Sequence, residues 1–337
     1  MNARTIAQQT NIEASRRNIP LSVFAEVTRA CNLKCYYCYQ GGHAAGEELS
    51  VSRWRSLCGE LADAGSLYIA FSGGEPFMRV DFLDIVSAAR DNNFAVSIIT
   101  NGTLVNGDMI SRTARLGVMD VGVSLLGAHK DLHDRLSGVE GSFEKALGAV
   151  RGLVRAGVKV VVKHCVSSEN FGDYHALERL ALDEGAAFEC DSTVLPAESG
   201  RVSPFALNVD QHRTFLRDMG YKPLSSCVSS ETTWALHCDA GRSMCGLSPE
   251  GDVTPCVLLP VLFGSVARSS FGEVWNSAAA QRFREEELRL EDVCESCTMH
   301  AMCSRCHAVA YMETGSWRGS SRSLCDRAKA MQEQAMR

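Results

Sequence analysis

The chain has 337 residues, 45% of them hydrophobic, with a net charge of −6 and a pI near 5.9. That acidic balance argues against a general nucleic-acid binder, which needs a basic face to neutralise phosphates. No apolar run reaches the roughly 18 residues that span a bilayer, and the polar start "MNARTIAQQTNIEASRRNIP" lacks the apolar core of a secretory signal. A cytoplasmic protein with neither membrane nor nucleic acid as partner is expected.

From 21 to 195, short apolar runs alternate with amphipathic segments. Strands are predicted at 21–28, 66–72, 95–100, 120–126, 159–166 and 187–195, and helices near 50–64, 81–92, 107–116, 142–156 and 174–184. Ser50 and Ser142 are the predicted N-caps, and Gly65, Gly117 and Gly157 the predicted helix stops. Strand–helix alternation of this kind predicts an α/β fold, a parallel sheet curved into a partial (β/α)6 barrel with chemistry at the carboxyl ends of its strands. The expected divisions are an N-terminal arm (1–20), the barrel (21–195), a bridge (196–237), a small cysteine-rich domain (238–330) and a C-terminal tail (331–337). The cysteine-rich domain is expected to have little core of its own and to depend on metal.

Fifteen cysteines without an export signal point to metal binding rather than disulfides. Cys58, Cys165, Cys190 and Cys227 are scattered and read as small buried hydrophobes. Cys31, Cys35 and Cys38 follow the first strand directly, in "CNLKCYYCYQ". Thiolates prefer soft metals. A 4Fe–4S cubane wants one ligand per iron, so three cysteines leave one iron open; a zinc site borrowing a distant ligand is the alternative. Tyr36, Tyr39 and His43 lie beside this loop, where packing is the expected role of the tyrosines.

"CNLKCYYC" resembles the C-x3-C-x-aromatic-C signature of radical S-adenosylmethionine (AdoMet) enzymes, with Tyr37 as the aromatic. The resemblance implies that the open iron binds AdoMet, and that reductive cleavage yields a 5′-deoxyadenosyl radical that takes a hydrogen atom from substrate. "FSGGEPFM", alone no more than a Gly–Pro turn, resembles the family's GGE motif at the next strand end. Gly73 and Gly74 would let backbone approach a ligand, and Glu75 would accept from the AdoMet ammonium. "TNGTL" brings Asn101 and "VSLLG" brings Ser124 as further AdoMet contacts, although Leu126 stands where relatives often have Asp. "HDRLSG" resembles H-D-x-x-R-G, but its arginine position is Ser137 and Arg135 lies out of register.

The tail holds eight cysteines, and spacing alone allows two zinc sites or two iron–sulfur clusters. It resembles the SPASM domain that follows many radical AdoMet barrels, departing at the last spacing, where two residues rather than three separate Cys303 from Cys306. The resemblance implies one auxiliary cluster on Cys238, Cys245, Cys256 and Cys306 and another on Cys294, Cys297, Cys303 and Cys325, three 4Fe–4S clusters in all. Relatives mostly modify ribosomally made peptides by cross-linking or side-chain oxidation; a minority act on small molecules such as porphyrins or cofactor precursors. An iron–sulfur electron carrier or zinc scaffold is the third reading. Val257 follows Cys256 where formylglycine-forming relatives often carry a basic Asp, which disfavours that reaction. The short segment before the first strand implies that a precursor peptide is held by the barrel or by a separate leader-binding protein. An electron donor such as flavodoxin or ferredoxin is also implied. No residue stands out as catalytic acid or base.

Overall fold

The computed structural model describes residues 6–40, 46–196, 200–220, 238–287, 292–299, 303 and 305–335. After a helix α1 (Ile6–Arg17), the chain runs β1 (Ser22–Glu26), α2 (Val51–Asp63), β2 (Tyr68–Ser72), α3 (Phe82–Asp91), β3 (Ala95–Thr100), α4 (Gly107–Leu116) and β4 (Asp120–Ser124). Then come α5 (Lys130–Ser137), α6 (Ser142–Arg155), β5 (Val160–Cys165), α7 (Tyr174–Asp183), β6 (Ala187–Asp191) and α8 (Val209–Asp218). Each of the first five strands pairs in parallel with the next, as the alternation predicts. The helix-facing side is branched and apolar: Ile69, Phe71, Val96, Ile98, Val121 and Val123 are all buried. Small residues such as Ala70, Ser97 and Gly122 alternate with them on the opposite side.

The helix boundaries have local causes. Ser50 accepts from the Arg53 amide at the start of α2, and Gly117 closes α4 in the left-handed region at φ 60°. Ser142 is not the N-cap of α6: Gly141 takes that place at φ 76°, and Asp134 does the capping. Its carboxylate accepts from the amides of Gly141 (2.7 Å) and Phe143 (2.8 Å) and from the Ser142 hydroxyl (2.9 Å). The partner comes from the preceding helix, so local spacing cannot reveal it.

The second half is less separate than its composition suggests. β7 (Met244–Leu247) pairs in parallel with β1, and β8 (Asp252–Thr254) and β9 (Gly264–Ser265) extend the sheet antiparallel. One nine-stranded sheet results, in the order β6-β5-β4-β3-β2-β1-β7-β8-β9. Val253, Phe263, Val266, Phe271, Trp275 and Phe283 join the same core cluster as the barrel residues, so this region has a shared apolar core rather than little core. Polar ties reinforce the seam: Trp275 donates its indole N–H to the Asn18 carbonyl (2.7 Å), and Arg53 donates to the Val266 carbonyl (2.8 Å). Short helices follow at α9 (Phe271–Trp275), α10 (Ala278–Arg282), α11 (Asp292–Glu295) and α12 (His307–Thr314). The last helix, α13 (Arg322–Ala335), runs through residue 330 and packs on α8, where Leu216 meets Ala330 and Met331. No helix among the described residues is long and apolar enough to cross a membrane.

Candidate functional site

The site begins where β1 ends. Past Glu26 the chain keeps pairing with the β2 strand: Val27 N–H donates to the Ser72 carbonyl (2.9 Å), Gly74 N–H to Thr28 (2.8 Å) and Glu75 N–H to Ala30 (2.8 Å). This extension explains the two glycines. Gly73 has φ 148°, and a Cβ there would collide with the Thr28 carbonyl oxygen; one at Gly74 would collide with the Ala30 carbonyl oxygen. A close neighbour that demands glycine is therefore the backbone leading into the cysteine loop.

Glu75 is completely buried. Its carboxylate accepts from the Thr100 hydroxyl (2.6 Å), the Phe77 amide (3.1 Å) and the Asn101 amide (2.7 Å). Burial pushes its pKa up, against these three hydrogen bonds. Glu75 thereby ties the ends of β2 and β3 together. Asn101, next along, accepts from the Thr103 amide (2.9 Å), donates to Asn32 (3.0 Å) and reaches the Cys31 sulfur at 3.9 Å. Lys34 N–H donates to the Ser137 carbonyl (2.9 Å), and Gly138, at φ 70°, lies under the Lys34 carbonyl. The position where the resemblance would put arginine is thus a buried serine that closes α5 against the loop.

Cys31, Cys35 and Cys38 gather on this frame, Cys31 and Cys38 exposed and Cys35 partly buried. Burial pushes the Cys35 thiol up to about 12, reinforced by Cys38 and Cys31. Burial also raises Cys31, opposed by the Leu33 amide. Tyr36 packs edge-on to Phe205 (4.2 Å) and meets the Ser167 hydroxyl (3.2 Å). Tyr39 donates to buried Glu26 (2.8 Å). Tyr37 is partly buried, and its buried hydroxyl has no hydrogen-bond partner among the described residues. His43 lies outside the described residues. Ser124 ends β4, half-buried and paired in register with Lys163. Arg135 is exposed in an ion pair with Glu169 (3.1 Å), and so is not turned into the loop.

The turn after β4 rests on residues that the motifs did not single out. His133 accepts the Leu126 amide on Nδ1 (3.1 Å), His164 meets the Leu125 carbonyl (2.8 Å) and Asn170 donates to the Leu126 carbonyl (3.0 Å). Burial lowers His133 to about 4, so this imidazole is neutral and accepting. Only the "HD" of the α5 motif hinted at one of the three.

The tail cysteines form two groups. Cys238, Cys256 and Cys306 act on one another: burial pushes Cys238 up to about 11 and Cys256 to about 12, and in each case Cys306 adds to the rise. Cys303 is raised to about 11 by burial, then by Cys325, Cys294 and Cys297. Buried Arg305 lies between the groups. It donates to the Cys294 sulfur (3.5 Å) and the Trp317 carbonyl (2.8 Å), and its charge pulls down both Cys238 and Cys303. Cys245 does not join its expected group. It is fully buried in β7, paired with Val23 in the main core, and its charged neighbour is Arg284. Strand alternation is the reason: the neighbouring Gly246 takes the side against the Cys256 backbone, and Cys245 points the other way.

Of the scattered cysteines, Cys58 is buried in the core, Cys190 packs near Met219 (3.8 Å), and Cys165 reaches the Thr193 carbonyl (3.8 Å). Cys227 lies outside the described residues. Among the described residues no three His, Cys, Asp or Glu side chains close on a single metal ion. The groups instead hold thiols close to one another, and burial raises Cys35, Cys238, Cys256 and Cys303. A cationic iron–sulfur cluster would deprotonate them, so the donor set fits such a group.

Comparison with known proteins agrees with this chemistry. Residues 25–180 match the radical SAM superfamily, and residues 238–298 match the SPASM iron-sulfur cluster-binding domain. The AdoMet-dependent heme synthase of Methanosarcina barkeri is 27% identical over 89% of this chain and 95% of its own length. The subtilosin biosynthesis protein AlbA of Bacillus subtilis is 28% identical over 86% of this chain and 67% of its own. Streptococcus suis SuiB, solved with its precursor peptide SuiA, superposes with a TM-score of 0.73 over 95% of this chain and 80% of its own, at 14% identity. The chain belongs to the radical SAM superfamily, an AdoMet-binding enzyme with a C-terminal SPASM iron–sulfur domain.

Proposed function

We propose that this enzyme cleaves AdoMet and oxidatively modifies a ribosomally made peptide, forming a cross-link or oxidising a side chain. When bound, a cluster with AdoMet supplies a 5′-deoxyadenosyl radical that takes a hydrogen atom from substrate. Cys31, Cys35 and Cys38 would hold that cluster, with the Asn101 amide donating toward the Cys31 sulfur. Hydrogen bonds to sulfur tune reduction potential. Asn101 and Ser124 stand at strand ends where AdoMet would lie. Gly73, Gly74 and Glu75 serve the site by fixing the cysteine loop. Tyr37 brings an unpartnered hydroxyl beside the loop. Arg135 would reach AdoMet only by leaving Glu169. The buried tail groups would hold two auxiliary clusters, three in all, that pass electrons to or from the site. A flavodoxin or ferredoxin would supply the reducing electron.

The observation that carries the peptide reading is the edge at β6, which has no further strand on its outer side among the described residues. It ends the sheet, and Ala187, Glu189 and Asp191 are exposed along it. Such an edge offers backbone groups to an extended chain. The heme synthase relatives favour a second reading, a porphyrin precursor as substrate. Co-expression with a short peptide encoded beside the gene, read by mass spectrometry for loss of two hydrogens, supports the first. Turnover of an added porphyrin precursor, with every neighbouring peptide unmodified, replaces it with the second.

A further inference from the structure

The cysteine loop is tied to the C-terminal region at both of its ends, and one carboxylate takes part in both ties. β7 pairs with β1 in the register Ala25–Leu247, which carries the β7–β8 turn alongside the residues just before Cys31. That turn is tight. Ser248 N–H donates to the Asp252 carbonyl (2.9 Å), Gly251 N–H donates to the Ser248 carbonyl (3.0 Å), and Gly251 adopts φ 92°. Glu250 is held at its tip. The Glu250 carboxylate accepts two hydrogen bonds from Arg29, Nε to Oε1 (2.7 Å) and Nη2 to Oε2 (2.9 Å). Such a two-pronged pair fixes direction as well as distance. The two side chains are only 23% and 22% exposed, so water shields the pair little.

Arg29 is locked to the loop's own backbone. Its neighbours Thr28 and Ala30 accept from the Gly74 and Glu75 amides (2.8 Å each), and Cys31 follows directly after Ala30. On the far side of the loop, Gly46 N–H reaches Glu250 Oε1 (3.4 Å), and Leu49 N–H donates to the Pro249 carbonyl (2.8 Å). A Cβ on Gly46 would sit 2.8 Å from Glu250 Cγ, so the returning chain passes directly over the same side chain. The turn thus clamps the two limbs that bracket Cys31, Cys35 and Cys38.

We infer that Glu250 is a positioning residue for AdoMet cleavage: through Arg29 and Gly46 it sets the orientation of the cysteine loop, and with it the open iron. The radical-generating site is then completed by the C-terminal region rather than by the barrel alone. The inference rests on the assignment of Cys31, Cys35 and Cys38 to the AdoMet-binding cluster.

The test uses the full chain, reconstituted anaerobically, with Glu250→Gln, with Arg29→Gln and with the two combined. In the reduced electron paramagnetic resonance spectrum, the signal that shifts when AdoMet is added should change its g-values in each variant, and the remaining signals should not. Formation of 5′-deoxyadenosine at saturating AdoMet should slow by roughly ten- to a hundredfold. The double variant should be no worse than either single one, because the two side chains act through one contact. Arg53→Gln loosens the same seam away from the loop, by removing donors to the Val266 and Ser269 carbonyls. It should leave the AdoMet-sensitive signal as in the parent. Parent-like spectra and cleavage in both single variants overturn the inference alone. So do additive losses in the double variant, loss of the tail signals in either single variant, or the same altered signal in Arg53→Gln, which would show general loosening. A parent protein with no AdoMet-sensitive signal overturns the assignment of the loop cluster, and the inference with it.

Discussion

The cysteine loop and the cysteine tail solve the same chemical problem in opposite ways. In the loop, three thiols come from eight consecutive residues, and two of them are exposed. Their positions are set by backbone hydrogen bonds to Gly74, Glu75 and Ser137 and by the Asn101 side chain. In the tail, Cys238 acts with Cys256 and Cys306 across long stretches of chain, Cys245 is buried and the other thiols are partly buried, and an arginine is placed between the two groups. The loop suits a cluster that must meet a small molecule. The tail suits clusters that exchange electrons from within the protein, where burial and nearby charge set the potential.

The largest effect should come from breaking the loop. Cys31→Ala, Cys35→Ala and Cys38→Ala together should abolish reductive AdoMet cleavage, measured as 5′-deoxyadenosine, while the tail keeps its iron. Retained cleavage would detach the chemistry from the loop. Next is the frame that holds it. Gly74→Ala forces a methyl into the Ala30 carbonyl and should cost about 1–3 kcal/mol in chemical denaturation, with iron lost first from the loop. Thr100→Ala removes one hydrogen bond from buried Glu75 and should cost about 1–2 kcal/mol.

On the tail side, Arg305→Gln removes a cation that acts on both groups. Reduction adds negative charge, so losing the cation should lower both auxiliary potentials by roughly tens of millivolts, with the loop cluster unmoved. Equal shifts of all three would blur the contrast between the regions. The smallest effect concerns pH. Burial depresses His133 and His212 to about 4 from 6.5, so each contributes stability that is fully present above pH 6.5 and is lost as pH falls towards 4. His133→Asn should flatten that slope by about one proton in denaturation between those pH values.

Much of the barrel was legible because its signal is local. The third strand and the helix after it fall where apolar alternation and Gly117 mark them, since a stop residue acts within one turn. The cysteine loop was legible for the same reason. Glu75 is marked by its motif, but two of the three donors it accepts arrive from the end of β3, 25 and 26 residues away. Gly73 and Gly74 are marked too, yet a surface they yield to is the protein's own backbone. The Asp134 cap, the buried histidines and the α8–α13 contact left little trace because their partners are distant in sequence.

By itself, the sequence determined where the six barrel strands and most of the helices between them form, that its cysteines suit soft metals, and that three thiols share the first strand's end. Those properties follow from residue type and short spacing. Tertiary structure alone decided that the cysteine-rich half shares the barrel's core and sheet, that Arg305 sits between two thiol groups, and that Cys245 stands apart from its neighbours in the motif. A strand sends consecutive side chains to opposite faces, and only its pairing with β1 settles which face Cys245 takes.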